Sequence, residues 1–251
     1  ASAKPDSAEA REAVQEVVIL AASPEPLVQL GAAALLARLT DHAEGARHAL
    51  KCGGLGPLMN LWEQQHAAAV ADADAGRGGG SDHASELAAD HRRAAALYAS
   101  QALARLVLHV PSSAARASLL REGGLQPLLE LAVLAEPFDA DDADEAAAAA
   151  AAESTIDLVA KSQFEREWHR ELRALAAAAL LALSAKESTR AALMSGGGPF
   201  RLLELAAASD AAVARCGVAA LRNLSEPEET RAQLLAEPGL LQGLFNLACA
   251  D

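Results

Sequence analysis

Three histidines and four aspartates lie close together in the first half of the chain, where they could form a metal site. They are His66, His83 and His91, with Asp72, Asp74, Asp82 and Asp90. No HExxH spacing occurs among them, and the glycine-rich run that they flank offers no rigid element to fix metal ligands. We therefore interpret these side chains as solvated, and we predict that the chain holds no metal and no other cofactor.

Two further segments contain residues that could bind phosphate or calcium. The sequence GRGGGS at 76–81 is rich in glycine, but no GK[ST] follows it and no strand precedes it, as a phosphate loop requires. The acidic run from Asp139 to Glu145 lacks the EF-hand spacing and its bidentate glutamate. The first segment is interpreted as a linker and the second as a solvated acidic loop.

The three cysteines, Cys52, Cys216 and Cys249, are an odd number with no short spacing between them. This usage favours a reduced compartment, so we expect a cytoplasmic protein. Cys52 lies beside the C-terminus of a predicted helix, whose dipole disfavours a thiolate. Cys216 occupies a small-residue position of a packed helix, and no Ser/His/Asp grouping stands out. The sequence therefore predicts that the chain is not an enzyme.

Composition indicates an all-helical protein. Hydrophobic residues make up 52% of the chain, mostly alanine and leucine, while aromatic residues make up only 3%. Alanine and leucine are strong helix formers. No apolar run approaches the roughly 20 residues that span a bilayer, so no membrane partner is expected. The formal net charge of −13 disfavours nucleic acid as a partner, because phosphate binding depends on clustered lysine and arginine.

The helices that these residues predict are organised around a short block that recurs four times. Its copies are KCGGLGPLMNLW at 51–62, REGGLQPLLELA at 121–132, SGGGPFRLLELA at 195–206 and AEPGLLQGLFNLA at 236–248. In each copy a glycine turn opens directly into an amphipathic helix. We predict that Gly54, Gly124 and Gly197 adopt positive φ at the junction of the two helices.

A second recurring segment lies upstream of each short helix and reads ALLARL, QALARL, AALLAL and AALRNL. Leucine occupies two fixed positions in all four copies, preceded by a small residue. The first leucines are Leu36, Leu103, Leu180 and Leu221, the second are Leu39, Leu106, Leu183 and Leu224, and the small residues are Ala32, Ala99, Ala176 and Gly217. This period predicts that the leucines form the core.

The spacing of the copies defines the repeating unit and its insertions. Gly197 and Gly239 are 42 residues apart, whereas the two earlier spacings are 70 and 73 residues. Each earlier unit therefore carries roughly 30 extra residues, near 67–90 and 136–167. The first insertion is predicted to be a flexible loop, so that the helix before it ends near Gln65. The second is predicted to be an acidic loop that leads into a helix.

These boundaries divide the chain into a single repeat domain, 1–251. We predict a partial repeat at 1–40, repeats at about 41–110, 111–185 and 186–226, and a partial repeat at 227–251. Because the chain begins at Ala1 without methionine and starts and stops partway through a repeat, we expect it to be a piece of a longer array.

A unit made of a short helix, a glycine turn and two longer helices resembles the armadillo repeat. Segments such as CGGLGPLMNL, EGGLQPLLEL and AALRNLS are similar to that family's consensus, and the match covers nearly the whole chain outside the insertions. HEAT repeats are the alternative, but they lack the glycine turn after a short first helix. The resemblance implies an all-α, right-handed superhelix (an α-α solenoid) whose third helices line a concave groove that binds proteins.

Importin-type armadillo proteins bind basic peptides through a ladder of tryptophan and asparagine on the third helix. The asparagine position here reads Arg38, Arg105, Ala182 and Asn223, and the tryptophan position reads Ala34, Gln101, Ala178 and Ala219. One asparagine and no tryptophan argue against binding of nuclear-import signals. The groove residues that we expect to contact a partner are Arg38, Gln101, Arg105 and Asn223.

Arginines in the groove suit an acidic or phosphorylated segment, because a guanidinium binds carboxylate and phosphate bidentately. Alternatively, Arg38 and Arg105 pair with acids of their own chain or face water. The functional hypothesis is a non-catalytic scaffold that binds a partner protein in a larger assembly. The alternative is the substrate-recruiting arm of a multidomain enzyme, such as an armadillo-bearing ubiquitin ligase. A nuclear transport adaptor is a third possibility, which the missing ladder opposes.

Overall fold

The computed structural model describes residues 8–74, 83–110, 112–133 and 155–249. These ranges contain thirteen helices and no strand, and none of these helices is long and apolar enough to cross a membrane. In chain order the helices are α1 (Ala8–Ala21), α2 (Pro26–Leu39), α3 (Ala43–Lys51), α4 (Leu55–Asp74), α5 (His83–His109), α6 (Ser113–Arg121), α7 (Leu125–Ala132), α8 (Thr155–Ser184), α9 (Glu187–Ser195), α10 (Gly198–Ala206), α11 (Ala211–Ser225), α12 (Glu228–Ala236) and α13 (Leu240–Ala248).

The helices follow one another in groups of three. Each complete group has a short first helix, a second helix and a third helix: α3–α5, α6–α8 and α9–α11. Helices α1 and α2 are a second and a third helix, while α12 and α13 are a first and a second helix. Each third helix packs against the second helix of its own group, and α2, α5, α8 and α11 pack against one another in sequence. The predicted all-α solenoid is confirmed.

The two leucine positions form the core that the sequence predicts. Seven of the eight leucines are buried, and the eighth, Leu39, is half-buried and packs against the others. Fully burying one leucine side chain stabilises a fold by about 1.5–3 kcal/mol. Because third helices contact each other through these side chains, the ladder joins the repeats into one continuous core.

The small residue before each ladder allows the third helix to approach the backbone of the second. A Cβ atom added to Gly217 would lie 2.5 Å from the backbone nitrogen of Ala206 and 2.8 Å from the carbonyl oxygen of Leu202. Ala32, Ala99 and Ala176, at the same position of the other third helices, are buried with at most 3% of their surface exposed. Any larger side chain at Gly217 would separate α11 from α10.

In two of the three turns, the glycine with positive φ is not the predicted one. Gly53 has φ of +77° and Gly123 has φ of +90°, whereas Gly124 has φ of −62°. The prediction is therefore wrong for Gly54 and Gly124, and it is confirmed for Gly197, whose φ is +79°. The first glycine of a pair takes the left-handed conformation that ends the short helix.

The second glycine of the pair is required for a different reason, which is the close approach of the short helix. In the second turn, the N–H of Gly123 donates to the carbonyl of Leu120 at 3.2 Å, and the N–H of Gly124 donates to that of Leu119 at 2.9 Å. These two bonds form a Schellman motif. A Cβ atom at Gly124 would lie 2.9 Å from the Leu119 carbonyl oxygen and 2.5 Å from its side chain.

The first insertion is helical over much of its length. Helix α4 continues to Asp74 and α5 begins at His83, so the predicted loop at 67–90 is wrong for residues 67–74 and 83–90. The predicted end of the helix near Gln65 is also wrong. These flanks are rich in alanine, with leucine and glutamate, and such residues extend a helix unless glycine interrupts them. The glycine-rich run itself lies outside the described residues.

The second insertion adds residues to the start of a third helix. Its predicted terminal helix is confirmed, because α8 begins at Thr155 and continues without a break through Leu180. The predicted acidic loop falls at 136–154, outside the described residues. The consequence is a third helix of 30 residues, beside one of 27 residues in the preceding repeat.

Candidate functional site

The third helices present one stripe of residues that recurs in steps of three and four, which places the residues on one face of each helix. We call it the groove stripe. It consists of Leu27, Gly31, Ala34 and Arg38 on α2; Leu87, His91, Ala94, Tyr98, Gln101 and Arg105 on α5; Phe164, Trp168, Glu171, Leu175, Ala178 and Ala182 on α8; and Ala212, Cys216, Ala219 and Asn223 on α11. All four predicted partner-binding residues belong to it.

Arg105 is engaged with the preceding repeat. Its Nη1 donates to the carbonyl oxygen of Ala37 at 2.7 Å, and its Nη2 lies 2.7 Å from Oδ1 of Asp41. Only 20% of the arginine side chain is exposed. Ala37 lies in the last turn of α2, so the guanidinium satisfies a carbonyl at the negative end of that helix. This geometry is the intramolecular pairing that the sequence left open as an alternative.

Asn223 makes a similar contact one repeat from the end. Its Nδ2 donates to Oγ of Ser184, the last residue of α8, at 3.0 Å. The hydroxyl of Ser184 in turn donates to the carbonyl of Leu181 at 2.7 Å. The same stripe position on α5 and α11 therefore connects each helix to the C-terminal turn of the preceding third helix. On α8 the position is Ala182, which has no donor.

The other two predicted residues differ in exposure. Gln101 is buried, with 8% of its surface exposed, within the stack of third helices. Arg38 is exposed, and its side chain makes no hydrogen bond or ion pair with another described residue. Of the two arginines in the predicted basic row, Arg105 is thus bound within the chain and Arg38 is exposed.

Sequence reasoning missed an aromatic pair in the middle of the groove stripe. The rings of Tyr98 on α5 and Trp168 on α8 are 5.0 Å apart between centroids and inclined at 44°. Both residues are half-buried. The sequence does contain a signal, since continuing the steps of three and four upstream from Gln101 reaches Tyr98 and His91. Tyr98, His91 and Trp168 lie outside the two predicted insertions, but the comparison of third helices covered only the positions from Ala32 to Leu39 and their equivalents.

The two histidines of the candidate metal site whose side chains are described, His66 and His91, lie on different helices. His66 stacks on Trp62 with ring centroids 5.2 Å apart, and its Nδ1 lies 3.6 Å from Oε1 of Glu130. His91 is half-buried on α5. The side chains of the remaining histidine and of three aspartates lie outside the described residues. Within the part of the chain that is described, no three His, Cys, Asp or Glu residues are grouped as metal ligands would be.

Two groups have shifted pKa values: Asp210, which precedes α11, and Cys216 within it. Hydrogen bonds from the backbone N–H groups of Val213 and Ala212 hold the pKa of the Asp210 carboxyl below its ordinary value, since they stabilise the anion at the N-cap of this helix. Burial raises the pKa of the Cys216 thiol. The thiol therefore ionises less readily than that of an ordinary cysteine.

Comparison with known sequences gives no match: no protein-family model matches this chain, and no curated protein matches it significantly. Solved structures do match. A computationally designed armadillo repeat protein made for modular peptide recognition aligns with a TM-score of 0.59 and 20% identity, over 95% of this chain and 75% of that chain. A second engineered protein aligns with a TM-score of 0.56 and 19% identity, over 95% of this chain and 72% of that one.

The designed armadillo protein and this chain therefore agree in architecture across almost the full length of this chain. At 20% identity the likeness concerns the fold. The three-helix unit, the leucine ladder and the structural match lead to one conclusion. The chain has an armadillo-like helical-repeat fold.

Proposed function

We propose that this chain is a non-catalytic interaction scaffold that binds a partner protein along the groove stripe. The observation that carries the proposal is the continuity of that stripe across four stacked third helices, with an aromatic pair, Tyr98 and Trp168, at its centre. Half-buried aromatic side chains on a rigid layer give a large contact area at low entropic cost. The peptide-recognition purpose of the designed armadillo protein supports the same use of the fold.

A second feature concerns the chemistry of the partner near α2. Arg38 is exposed and has no ion pair with the described residues, so its guanidinium can meet a carboxylate or a phosphate. We infer that an acidic or phosphorylated segment of the partner contacts this end of the groove. Because the chain carries a net charge of −13, such a contact has to be local and short-ranged.

The cellular setting of the scaffold is also a proposal. Cys52, Cys216 and Cys249 are all free thiols, which is the usual state of cysteine in the reducing cytoplasm.

A larger assembly, or the alternative role as the substrate-recruiting arm of a multidomain enzyme, would use the same groove stripe. The two roles differ in whether the full protein also contains a catalytic domain. The same experiment tests the groove stripe in both cases.

The groove is tested by affinity capture with quantitative mass spectrometry, comparing two variants that add the same side chain. Ala178→Arg places a long side chain in the middle of the stripe on α8. Ala191→Arg places it on α9, where Ala191 is exposed outside the stripe. We expect partners to be lost from the first variant and kept by the second, with circular dichroism showing that both fold. An identical set of partners from both variants would place the binding surface elsewhere.

The proposed contact between Arg38 and an acidic segment of the partner is tested by a separate pair of variants. Arg38→Glu reverses the charge at the exposed groove arginine, and Arg121→Glu makes the same change on α6, where Arg121 is exposed away from the stripe. Calorimetry against a partner identified by capture should show weaker binding for Arg38→Glu only. Equal affinity of the two variants would remove Arg38 from the interface.

A further inference from the structure

The third helices α5 and α8 extend well beyond the repeat layer. They have 27 and 30 residues, whereas α2 and α11 have 14 and 15. The ladder sets their register, because Leu103 corresponds to Leu180. By the same offset Leu87 corresponds to Phe164 and His91 to Trp168. The groove stripe therefore continues onto both extensions with matched positions on two adjacent helices.

These extensions carry exposed apolar side chains in the stripe. Leu87 is 49% exposed and Phe164 is 66% exposed, at equivalent positions of α5 and α8. One turn further along are His91 and Trp168, both half-buried, and Trp168 contacts Tyr98. We call these five residues the aromatic strip. The contact between Tyr98 and Trp168 joins the two helices, so the strip is one apolar surface that spans α5 and α8.

The chemistry of the strip favours a helical occupant over an extended peptide. An extended chain leaves its backbone N–H and C=O groups unpaired, and these need polar partners when they are buried. In the strip, however, the stripe positions are mainly apolar or aromatic and supply few such partners. An α-helix satisfies its own backbone hydrogen bonds and presents an apolar ridge. From Leu87 to Tyr98 is 11 residues, or about 16 Å of helix, which matches three turns of such a ridge.

Among the side chains that the structure describes, the charged groups beside the strip are acidic. Glu171 belongs to the groove stripe, and Glu167 lies about 60° from its centre at about 100° per residue. Both are exposed. Asp90, at the position equivalent to Glu167, pairs with Arg93 at 3.3 Å. The arginines of the two extensions lie at least about 120° from the strip. They are Arg92, Arg93, Arg166 and Arg170.

We infer that the aromatic strip docks a cationic amphipathic α-helix of a partner protein. Its apolar ridge lies between Leu87 and Phe164 and contacts Trp168, and its lysine or arginine side chains lie beside Glu167 and Glu171. The net charge of −13 attracts such a helix at long range. This inference rests on the proposed function, and it adds the class of partner that the middle of the groove recognises.

Binding to the strip can be followed by tryptophan fluorescence, because Trp168 belongs to the strip and the chain contains one other tryptophan, Trp62. In a Trp62→Phe background, fluorescence reports on Trp168 alone. The probe is a synthetic helical peptide of leucine and lysine, with leucines at i, i+3, i+4 and i+7. It is titrated near 0.15 M salt to screen weak surface attraction. We expect a blue shift of the Trp168 emission and saturable binding.

The decisive variant is Leu87→Ser with Phe164→Ser, which changes exposed side chains only. We expect it to weaken binding by about tenfold or more, since two apolar anchors are removed. The matched control is Leu235→Ser with Phe200→Ser, at positions 57% and 39% exposed on α12 and α10. This control should change affinity by less than about twofold, the effect of residues outside an interface.

Three outcomes would overturn the inference: the strip variant binds the peptide as tightly as the unmodified chain, a scrambled peptide binds as tightly as the helical one, or the chain prefers a leucine–glutamate peptide.

A second experiment distinguishes failure of this inference from failure of the proposed function: cellular partners are captured with the strip variant and with Ala178→Arg. Loss of partners only with Ala178→Arg would retain the groove and reject the strip. Loss with neither variant would reject both, and loss with both would support both.

Discussion

Arg105 on α5 and Asp41, in the connection between α2 and α3, form an ion pair of 2.7 Å across the boundary of two repeats. The same guanidinium also donates to the Ala37 carbonyl at 2.7 Å. Asp41 would otherwise be available to cap α3, as its position in the sequence suggests. The N-cap of α3 is instead His42, with no side-chain hydrogen bond. The pair thus joins the connection after one third helix to the C-terminal part of the next third helix.

The contribution of this pair can be measured by a double-mutant cycle. We expect Arg105→Ala to lower the free energy of unfolding by about 1–2 kcal/mol, because it removes both the ion pair with Asp41 and a charged donor from the Ala37 carbonyl, which keeps only the Thr40 hydroxyl as a side-chain donor. Asp41→Asn should cost less than about 1 kcal/mol, since its side chain is 38% exposed. Arg38→Ala, at the equivalent exposed position, is the control and should change stability by no more than about 0.5 kcal/mol. Additive effects in urea denaturation would show that the pair is not coupled.

The glycine turns give a second prediction. Gly124→Val should destabilise the chain by more than about 1 kcal/mol, because its Cβ would overlap the Leu119 carbonyl and side chain. Gly123→Ala should cost about 1–2 kcal/mol for a different reason, since the left-handed conformation is strained for a residue with a side chain.

Gly31 serves as the control for both substitutions. It lies inside α2, and apart from its own helix backbone and chain neighbours no atom is within 4 Å of a Cβ placed there. Gly31→Ala should therefore stabilise the helix by about 0.5–1 kcal/mol. Chemical denaturation of the three variants tests these separate roles of Gly123 and Gly124. If Gly124→Val were neutral, the close approach of the short helix would not constrain the fold.

Ala177 and Val218 occupy equivalent positions of α8 and α11 but differ in their surroundings. Ala177 is fully buried in the stack, whereas Val218 is 52% exposed. We expect Ala177→Asp to cost roughly 3–5 kcal/mol, because it buries an unpaired charge. Val218→Asp should stay within about 1 kcal/mol. Thermal unfolding of the pair measures the difference, and similar melting temperatures would contradict the sequential packing of third helices.

The N-cap of α11 provides a pH-dependent prediction. The pKa of Asp210 is lowered in the folded chain, so its ionised carboxylate stabilises the fold above about pH 4, near the unfolded pKa. This contribution is lost as the pH falls through the folded pKa. We expect Asp210→Ala to cost about 1 kcal/mol at pH 7 and less at pH 3.

Asp210→Asn is the control, because an amide oxygen accepts the same backbone N–H groups at every pH. Its stability relative to Asp210→Ala should therefore be nearly independent of pH. Urea denaturation at pH 3, 5 and 7 gives the comparison. A cost of Asp210→Ala that did not decrease at low pH would contradict the role of the carboxylate as a cap.

The sequence alone determined the repeat, the leucine core and the glycine turn, because these depend on local spacing. Leu36, Leu103 and Leu180 occupy the same position of each copy of the segment, and a side chain that recurs at one position in every copy is expected to face the same kind of neighbour. For the same reason the fold class follows from the order of the residues. The choice between Gly123 and Gly124 does not, since two adjacent glycines satisfy the same pattern and only the hydrogen bonds of the turn separate their roles.

The candidate site was decided by tertiary structure. Arg38 and Arg105 are equivalent in sequence, yet Arg105 binds the Ala37 carbonyl and Asp41, while Arg38 is exposed. The aromatic strip likewise depends on the unbroken continuation of α5 and α8 through segments that sequence spacing marks as insertions. Spacing along the chain shows which residues share a face of a helix. Whether that face meets solvent or another repeat depends on packing between segments about 70 residues apart.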